Sequence, residues 1–154
     1  WIITSEQGTQ ILTQKAPKLP DDAVLVVPGG RGTRPLVKDA DFLAGLKDLA
    51  DSAANVLSIC TGSALLAAAG VLVNVKATSN KYAFEWVTST GDVVWIRKAR
   101  WVHDGRFYTS SGVSAGIDMA LGFVADHYGL DAAKANAQKA EYIWNEDSEI
   151  DPFA

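Results

Sequence analysis

Three features are scarce in this sequence of 154 residues, and each scarcity excludes a class of protein. Only one cysteine is present, Cys60, and a single thiol cannot form an internal disulfide, which favours a cytoplasmic protein. No apolar run approaches the roughly 18 residues that span a bilayer, so no membrane partner is predicted. The net charge is −4, and the only basic run is the short segment 97–100. A nucleic-acid partner is therefore not expected.

Histidine is also scarce, and its placement limits the chemistry. The two histidines are His103, beside the Asp104–Gly105 turn, and His127, near the end of a predicted helix. Neither histidine is expected to reach Cys60. The sequence therefore indicates no Cys-His-acid triad of the kind found in proteases and glutamine amidotransferases. No Cys/His cluster has metal-ligand spacing, and "GGRGTR" lacks the Gly-Lys-Ser/Thr ending of a phosphate-binding loop. We predict no metal and no cofactor.

What is present is enough apolar residue to build a core. Hydrophobic residues make up 48% of the chain, which suits a single domain over residues 1–154. Strand patterns alternate with helix patterns, and this predicts an α/β three-layer sandwich with a mostly parallel central sheet. The run "AVLVV" (23–27) is predicted to be a strand buried on both faces. The predicted elements are strands at 1–5, 8–14, 23–27, 55–59 and within 92–111, helices at 39–53, 62–72, 79–90, 114–129 and 131–144, and loops at 17–22 and 28–35.

Cys60 stands where a strand gives way to a helix. It has small residues two positions before and after it, Ser58 and Gly62. That spacing is the steric requirement of a nucleophile elbow, a turn so tight that larger flanking side chains would collide with neighbouring elements. At a helix N-terminus the unpaired N–H groups favour a thiolate. The alternative is a buried, inert cysteine that only fills the core.

The second predicted strand end carries the pair Gly29-Gly30. Carboxyl ends of parallel strands meet at one edge of a sheet, so these glycines are expected near Cys60. The N–H groups of Gly30 and Thr61 are candidates for an oxyanion hole, although Gly29 and Gly30 also suit an ordinary turn. Arg31, in the same loop, is a candidate partner for a substrate carboxylate or a solvated side chain.

Four segments together resemble the ThiJ/PfpI superfamily, and most closely its branch of isocyanide (isonitrile) hydratases and AraC-type sensor domains. They are "VLVVPGGRG", "SICTGSALLAAAGVL", "KATSNKYAFEWV" and "ARWVHDGRFYTSSGVSAGIDMALGFVADHYG". The resemblance implies a flavodoxin-like sandwich, a homodimer and a small-molecule substrate. It further implies that Cys60 attacks an isocyanide, that Thr61 takes part in the site, and that the product is an N-formamide. It places Asn80, Gly112 and Val113 at the substrate pocket.

Two departures from the family pattern stand out. Asn80 occupies a position that is histidine in many members, and an amide cannot take up a proton at neutral pH. The family's first strand, its following helix and an acidic residue that bonds the cysteine are expected before Trp1. Asp21 and Asp22 precede a strand and do not replace that acid. The given sequence is therefore expected to be incomplete at its N-terminus.

Other functions remain open beside the hydratase. One is a glyoxalase or deglycase, and another is a redox sensor whose thiolate is oxidised to a sulfinate. A third is a non-catalytic, ligand-sensing domain of a transcription factor. For the segment after 112, we expect a structural role, with Ser114 capping the helix and Asp118 facing its N-terminal dipole.

Overall fold

The computed structural model describes residues 1–5, 7–14 and 19–154. Its elements follow the predicted alternation of strands and helices. The strands are β1 (Ile2–Thr4), β2 (Gln10–Leu12), β3 (Val24–Val27), β4 (Asn55–Ser58), β5 (Lys76–Ala77), β6 (Val94–Trp95), β7 (Trp101–Asp104) and β8 (Phe107–Ser110). The helices are α1 (Thr33–Leu36), α2 (Ala40–Ser52), α3 (Gly62–Ala68), α4 (Phe84–Thr88), α5 (Ala115–Tyr128) and α6 (Leu130–Lys139).

A four-stranded sheet in the order β3-β4-β8-β7 forms the centre of the fold. Strands β3, β4 and β8 run parallel, and β7 joins β8 antiparallel through the turn at Gly105. Val27, Ser58 and Thr109 are aligned across the three parallel strands. The predicted α/β architecture with a mostly parallel sheet is confirmed. The parallel strands therefore end side by side, and the loops that follow them meet at one edge.

Helices pack against the sheet through apolar stripes and small residues. Helix α2 begins where Asp39 Oδ1 accepts a hydrogen bond of 3.0 Å from the Phe42 N–H, and it buries Leu46 and Ala50. Helix α3 consists of small and aliphatic residues, and all but its last residue are buried. The core that these elements share contains Val27, Leu46, Ala50, Ala53, Val56, Leu65, Leu66, Leu72 and Ala77. Close packing of α3 holds the start of this helix in place beside the sheet.

The prediction that "AVLVV" is buried on both faces is wrong. Val24 is 42% exposed and Val26 is 50% exposed, whereas Val27 is buried. The reason is that β3 lies at the edge of the central sheet, and one of its faces is not covered by the residues that the structure describes. A continuous apolar run predicts a strand, but it does not distinguish an edge strand from a central one.

Several element boundaries also differ from the sequence predictions. A short helix, α1, begins inside the predicted loop 28–35 and ends just after it, and the helix expected over 79–90 is confined to α4. Strands β1 and β2 pair with each other, Ile2 opposite Leu12, as a separate hairpin. Part of the predicted loop 17–22 lies outside the described residues. Among the described helices, none has the length and apolar character needed to cross a membrane.

Candidate active site

The cysteine lies on a sharp turn between strand β4 and helix α3. The Ile59 N–H donates to the Val27 carbonyl at 3.0 Å, so pairing with β3 continues to the residue before Cys60. Cys60 itself has a φ of +58°, and α3 begins two residues later at Gly62. A residue with a side chain rarely adopts this left-handed backbone, and such residues concentrate at functional sites. The half-buried Cys60 is the only cysteine in the chain.

Small residues beside Cys60 make this turn possible. A Cβ atom at Gly62 would collide with the carbonyl oxygen of Val27 in the neighbouring strand. Ser58, on the other side of the cysteine, is fully buried within the sheet. The glycine requirement at position 62 follows from this close approach of two backbones, as the spacing around Cys60 predicts.

The loop after β3 packs directly against the cysteine turn. A Cβ atom at Gly29 would lie 2.6 Å from the Thr61 nitrogen and 2.9 Å from the Ile59 oxygen, so only glycine fits there. Gly30 has a φ of +129°, and its N–H donates to Thr61 Oγ1 at 3.0 Å. Thr33 Oγ1 donates to the Gly30 carbonyl at 2.7 Å. In this arrangement the Gly30 N–H is engaged by the Thr61 hydroxyl, so it serves an oxyanion only if that hydroxyl turns away.

Asn80, Gly112 and Val113 lie together on a cleft of their own. Asn80 Oδ1 accepts a hydrogen bond of 2.9 Å from the Ala83 N–H, which leaves its Nδ2 facing Gly112 at 3.4 Å from the place of a Cβ atom there. The three residues line a cleft of about 470 Å³. Val113 is 81% exposed at this cleft, and Ile117 lies on its wall. Because Lys81, Arg100 and Asp151 line the same cleft, it offers an amide group and charged groups beside an apolar surface.

Arg31 lies on a different cleft. It lines an open volume of about 820 Å³ together with Gly29, Gly30 and Gly32, and with Thr4, Ser5 and Gln7 from the hairpin β1–β2. The predicted site residues thus fall into two groups. One contains Gly29, Gly30 and Arg31 and touches the cysteine turn through Thr61, and the other contains Asn80, Gly112 and Val113.

The histidines belong to an aromatic cluster that forms between α5 and the strands β7 and β8. His103 Nδ1 lies 3.1 Å from Asp126 Oδ2, and the His103 ring stacks on Tyr108 at 4.0 Å. His127 packs on Phe123 at a centroid distance of 4.2 Å. Burial and the hydrogen bond to Asp126 raise the pKa of Tyr108 well above its usual value. His103 lies opposite Tyr108 in the sheet, and His127 contacts Phe123. Both histidines therefore have their contacts within this aromatic cluster.

One contact of the cysteine turn was not foreseen from the sequence. Ser79 Oγ donates a hydrogen bond of 2.9 Å to the Cys60 carbonyl, and Ser63 Oγ donates to the same oxygen at 3.2 Å. Both serines are fully buried. Ser63 lies at the spacing of a local helix contact, but Ser79 is 19 residues from Cys60 and no linear pattern indicates the pairing.

Buried charged residues, among them Arg100 and Lys81, line the cleft that contains Asn80. Arg100 donates to Asp118 Oδ2 from Nε at 2.8 Å, and Asp118 Oδ1 accepts from the Asn145 N–H at 2.9 Å. Lys81 donates to Thr78 Oγ1, and burial lowers its pKa to about 8. Asp118 is therefore a structural ion-pair residue.

The expected Ser114 cap is wrong, because the Ser114 side chain makes no capping hydrogen bond. In the described part of the chain no three His, Cys, Asp or Glu side chains cluster as metal ligands.

Comparison with known proteins identifies related chains. Isonitrile hydratase from Pseudomonas putida is 36% identical over 141 residues, which cover 91% of this chain and 61% of that protein. A crystal structure of a ThiJ/PfpI family protein from Pseudomonas syringae superposes with a TM-score of 0.75 at 33% identity, covering 94% of this chain and 60% of that one. An AraC family transcriptional regulator from Pseudomonas putida superposes with a TM-score of 0.67 at 17% identity, covering 90% and 75% of the two chains, and this shows a shared fold.

The first two relatives are longer than this chain, which spans about three fifths of their length. The family model described as the DJ-1/PfpI family matches residues 3–126. This range includes Gly29 and Gly30, the turn at Cys60, and Asn80. The chain belongs to the DJ-1/PfpI family.

Proposed function

We propose that this protein is a cysteine-dependent hydratase that adds water to an isocyanide and releases an N-formamide. The observation that carries the proposal is the backbone of Cys60, which is held at a φ of +58° between the end of β4 and the start of α3. We assign this turn as a nucleophile elbow, in which the reactive side chain projects from a strained turn between a strand and a helix. The identity of 36% to an isonitrile hydratase supports the choice of substrate.

The reaction balances without a cofactor. The Cys60 sulfur forms a bond to the terminal isocyanide carbon, and that carbon takes up one proton, which gives a thioimidate R–N=CH–S–Cys60. Water then adds across the C=N bond, its oxygen bonding to carbon and its proton to nitrogen. The C–S bond breaks as the hydroxyl proton leaves oxygen, which regenerates the thiol and releases R–NH–CHO. The sum is one isocyanide and one water converted into one N-formamide.

Thr61 and the Gly29-Gly30 pair are assigned to the same site. Gly29 allows its loop to lie against the Thr61 backbone, and the Thr61 hydroxyl contacts both the Gly30 N–H and Thr33 Oγ1, the latter at 3.2 Å. We assign the Thr61 N–H and hydroxyl to hydrogen bonds with the adduct's oxygen, with the Gly30 N–H joining when the Thr61 hydroxyl turns toward substrate. Protons move through water, since both histidines contact other groups.

The cleft beside Asn80 is the proposed place for the R group of the isocyanide. Asn80 donates from Nδ2 without exchanging a proton, and Gly112 leaves room above it. Val113 and Ile117 give one part of the wall an apolar character suited to a neutral hydrocarbon substituent, whereas Lys81, Arg100 and Asp151 line another part of the cleft. Arg31 lies on the separate cleft with Gly29 and Gly30. We assign it to contacts with polar substituents of the substrate or to contacts with the substrate as it enters.

Assembly and location are part of the same proposal. We propose a homodimer, because the hairpin β1–β2 exposes apolar side chains, with Ile2 64% and Leu12 79% exposed. We further propose that residues 1–154 act as one domain in the cytoplasm, without nucleic acid or membrane partners. A sedimentation experiment at two protein concentrations tests the dimer, and a monomer at both concentrations contradicts it.

The experiment that tests the activity is a turnover assay. The protein is incubated with an alkyl isocyanide, and the N-formamide is followed by mass spectrometry. We expect turnover in the natural sequence and none in Cys60→Ala, while Cys60→Ser tests whether an alcohol replaces the thiol. Turnover that survives in Cys60→Ala contradicts the mechanism. Tight binding of the isocyanide without product favours the ligand-sensing function instead.

A further inference from the structure

We infer that Ser79 is a positioning residue for Cys60, and this inference rests on the proposed role of Cys60 as a nucleophile. The Cys60 carbonyl oxygen accepts two hydroxyl donors, Ser63 Oγ at 3.2 Å and Ser79 Oγ at 2.9 Å. Ser63 belongs to the helix that the cysteine introduces, so its bond is local. Ser79 comes from a separate segment after β5 and ties the turn to the rest of the molecule.

A left-handed cysteine needs such a tie. A residue with a Cβ atom in this conformation carries a free-energy cost, and the conformation persists only where surrounding groups determine it. The Gly62 N–H bonds to the Ile59 carbonyl at 2.9 Å, which closes the turn around Cys60. The bond from Ser79 is the shorter of the two that the Cys60 carbonyl accepts, and it is the one that joins this carbonyl to a segment outside the turn and α3.

The effect extends to Thr61 through the peptide plane. The Cys60 carbonyl and the Thr61 N–H belong to one planar peptide unit and point in opposite directions. Holding the carbonyl therefore fixes both the Cα of Cys60 and the direction of the Thr61 N–H. A hydrogen bond accepted by the carbonyl also polarises the N–H of the same unit.

The donor is itself held rigidly. The Thr78 N–H donates to Thr109 Oγ1 at 2.8 Å, and Thr78 Oγ1 donates to the Ala99 carbonyl at 3.3 Å. Lys81 Nζ donates to the Ser79 carbonyl at 3.3 Å. Ser79 is fully buried, so its hydroxyl is not exchanged for water. A buried donor on a fixed backbone is suited to orient a functional group.

Two variants separate positioning from packing. Ser79→Ala removes the hydroxyl from the cysteine turn. Ser110→Ala is the matched control, because Ser110 is also fully buried and donates to a backbone carbonyl, that of Ser58, at 3.4 Å. Both variants are compared with the natural sequence in kcat and KM for isocyanide hydration and in the rate at which iodoacetamide alkylates Cys60, the single thiol.

We expect Ser79→Ala to lower kcat by about three- to tenfold, the range to which one hydrogen bond corresponds, with KM changed by less than about twofold. Alkylation of Cys60 slows by about threefold or more, because a relaxed turn withdraws the sulfur. Ser79→Thr, which keeps the hydroxyl, restores both rates, and Ser110→Ala leaves both unchanged. If Ser79→Ala does not fold, Ser63→Ala removes the other donor to the same oxygen and is expected to lower kcat and alkylation as well.

Equal kcat and equal alkylation rates in Ser79→Ala and Ser110→Ala overturn the inference. A failure of the proposed function gives a different result. If the natural sequence does not hydrate isocyanides, yet Ser79→Ala still slows alkylation relative to Ser110→Ala, then Ser79 positions the thiol for another reaction and only the substrate assignment is lost.

Discussion

At the scale of single residues, the candidate site depends on the backbone at three positions. Cys60 adopts a positive φ, Gly29 lies against Thr61, and Gly62 lies against Val27. At Gly29 and Gly62 the feature that is required is the absence of a Cβ atom. The sequence predicted the Cys60 turn because its requirement for small neighbours is local. It did not predict Ser79 or Thr33, because their partners are distant in the chain.

Gly62 gives a direct stability test at this scale. Gly62→Ala places a Cβ atom against the Val27 carbonyl, and we expect the free energy of unfolding to fall by about 3 kcal/mol. Gly45→Ala in helix α2 is the control, because nothing lies within 4 Å of its Cβ position. That variant is expected to gain about 0.5–1 kcal/mol from helix propensity. Urea denaturation measures both, and equal effects would contradict the close approach at Gly62.

At the scale of elements, the strand order explains why two distant segments meet. The loops after β3 and β4 follow adjacent parallel strands, so Gly29 and Cys60 were predicted together from alternation alone. The exposure of Val24 and Val26 was not predicted, because an apolar run contains no information on which strands are neighbours. The pairing of β1 with β2, rather than with the central sheet, was not predicted for the same reason.

The segment after α6 (140–154) is attached to helix α5 by hydrogen bonds to Asp118, which also forms a buried ion pair with Arg100. Asp118 accepts hydrogen bonds from Arg100 and from the Asn145 N–H, and it is fully buried. Asp118→Asn removes the nearer charge partner of Arg100, at 2.6 Å, and leaves the more distant Asp151 at 4.0 Å, so we expect a loss of about 3 kcal/mol in the free energy of unfolding. Glu85→Gln is the comparison, since the ion pair of Glu85 with Arg97 is exposed and its removal should cost less than about 1 kcal/mol.

Thermal and urea unfolding of the two variants test this contrast. A loss of unfolding free energy for Asp118→Asn no larger than that for Glu85→Gln would mean that Asp118 does not hold the segment after α6. Limited proteolysis adds a local readout, because release of the segment in Asp118→Asn should expose the chain after residue 140 to cleavage.

At the scale of the whole molecule, the fold is a DJ-1/PfpI sandwich, and we expect its free energy of unfolding to vary with pH above 7 because of the buried Lys81. Burial lowers the pKa of Lys81 from 10.5 to about 8 in the folded chain, although Asp151 opposes the shift. Between these values the unfolded chain binds more protons than the folded chain, so the free energy of unfolding rises with pH. Below about pH 8 both states hold the proton, and the cost of the buried charge is present in full.

Urea denaturation from pH 7 to 9.5 measures this dependence. We expect the free energy of unfolding to increase with pH for the natural sequence relative to Lys81→Met, which lacks the titrating amine. Above about pH 10 the trend is expected to reverse, because the raised pKa values of Tyr108 and Tyr142 mean that the folded chain keeps protons which the unfolded chain releases. Parallel pH curves for the two proteins would contradict the assignment to Lys81.

The measurement that tests the central claim most directly is intact-protein mass spectrometry during turnover of an isocyanide. Samples quenched in acid should contain protein heavier by the mass of one isocyanide, with the added mass on the peptide that carries Cys60. The adduct should be absent from Cys60→Ala, and N-formamide should accumulate only where the adduct is seen. Formamide produced without an adduct on Cys60, or at an equal rate by Cys60→Ala, would contradict the account.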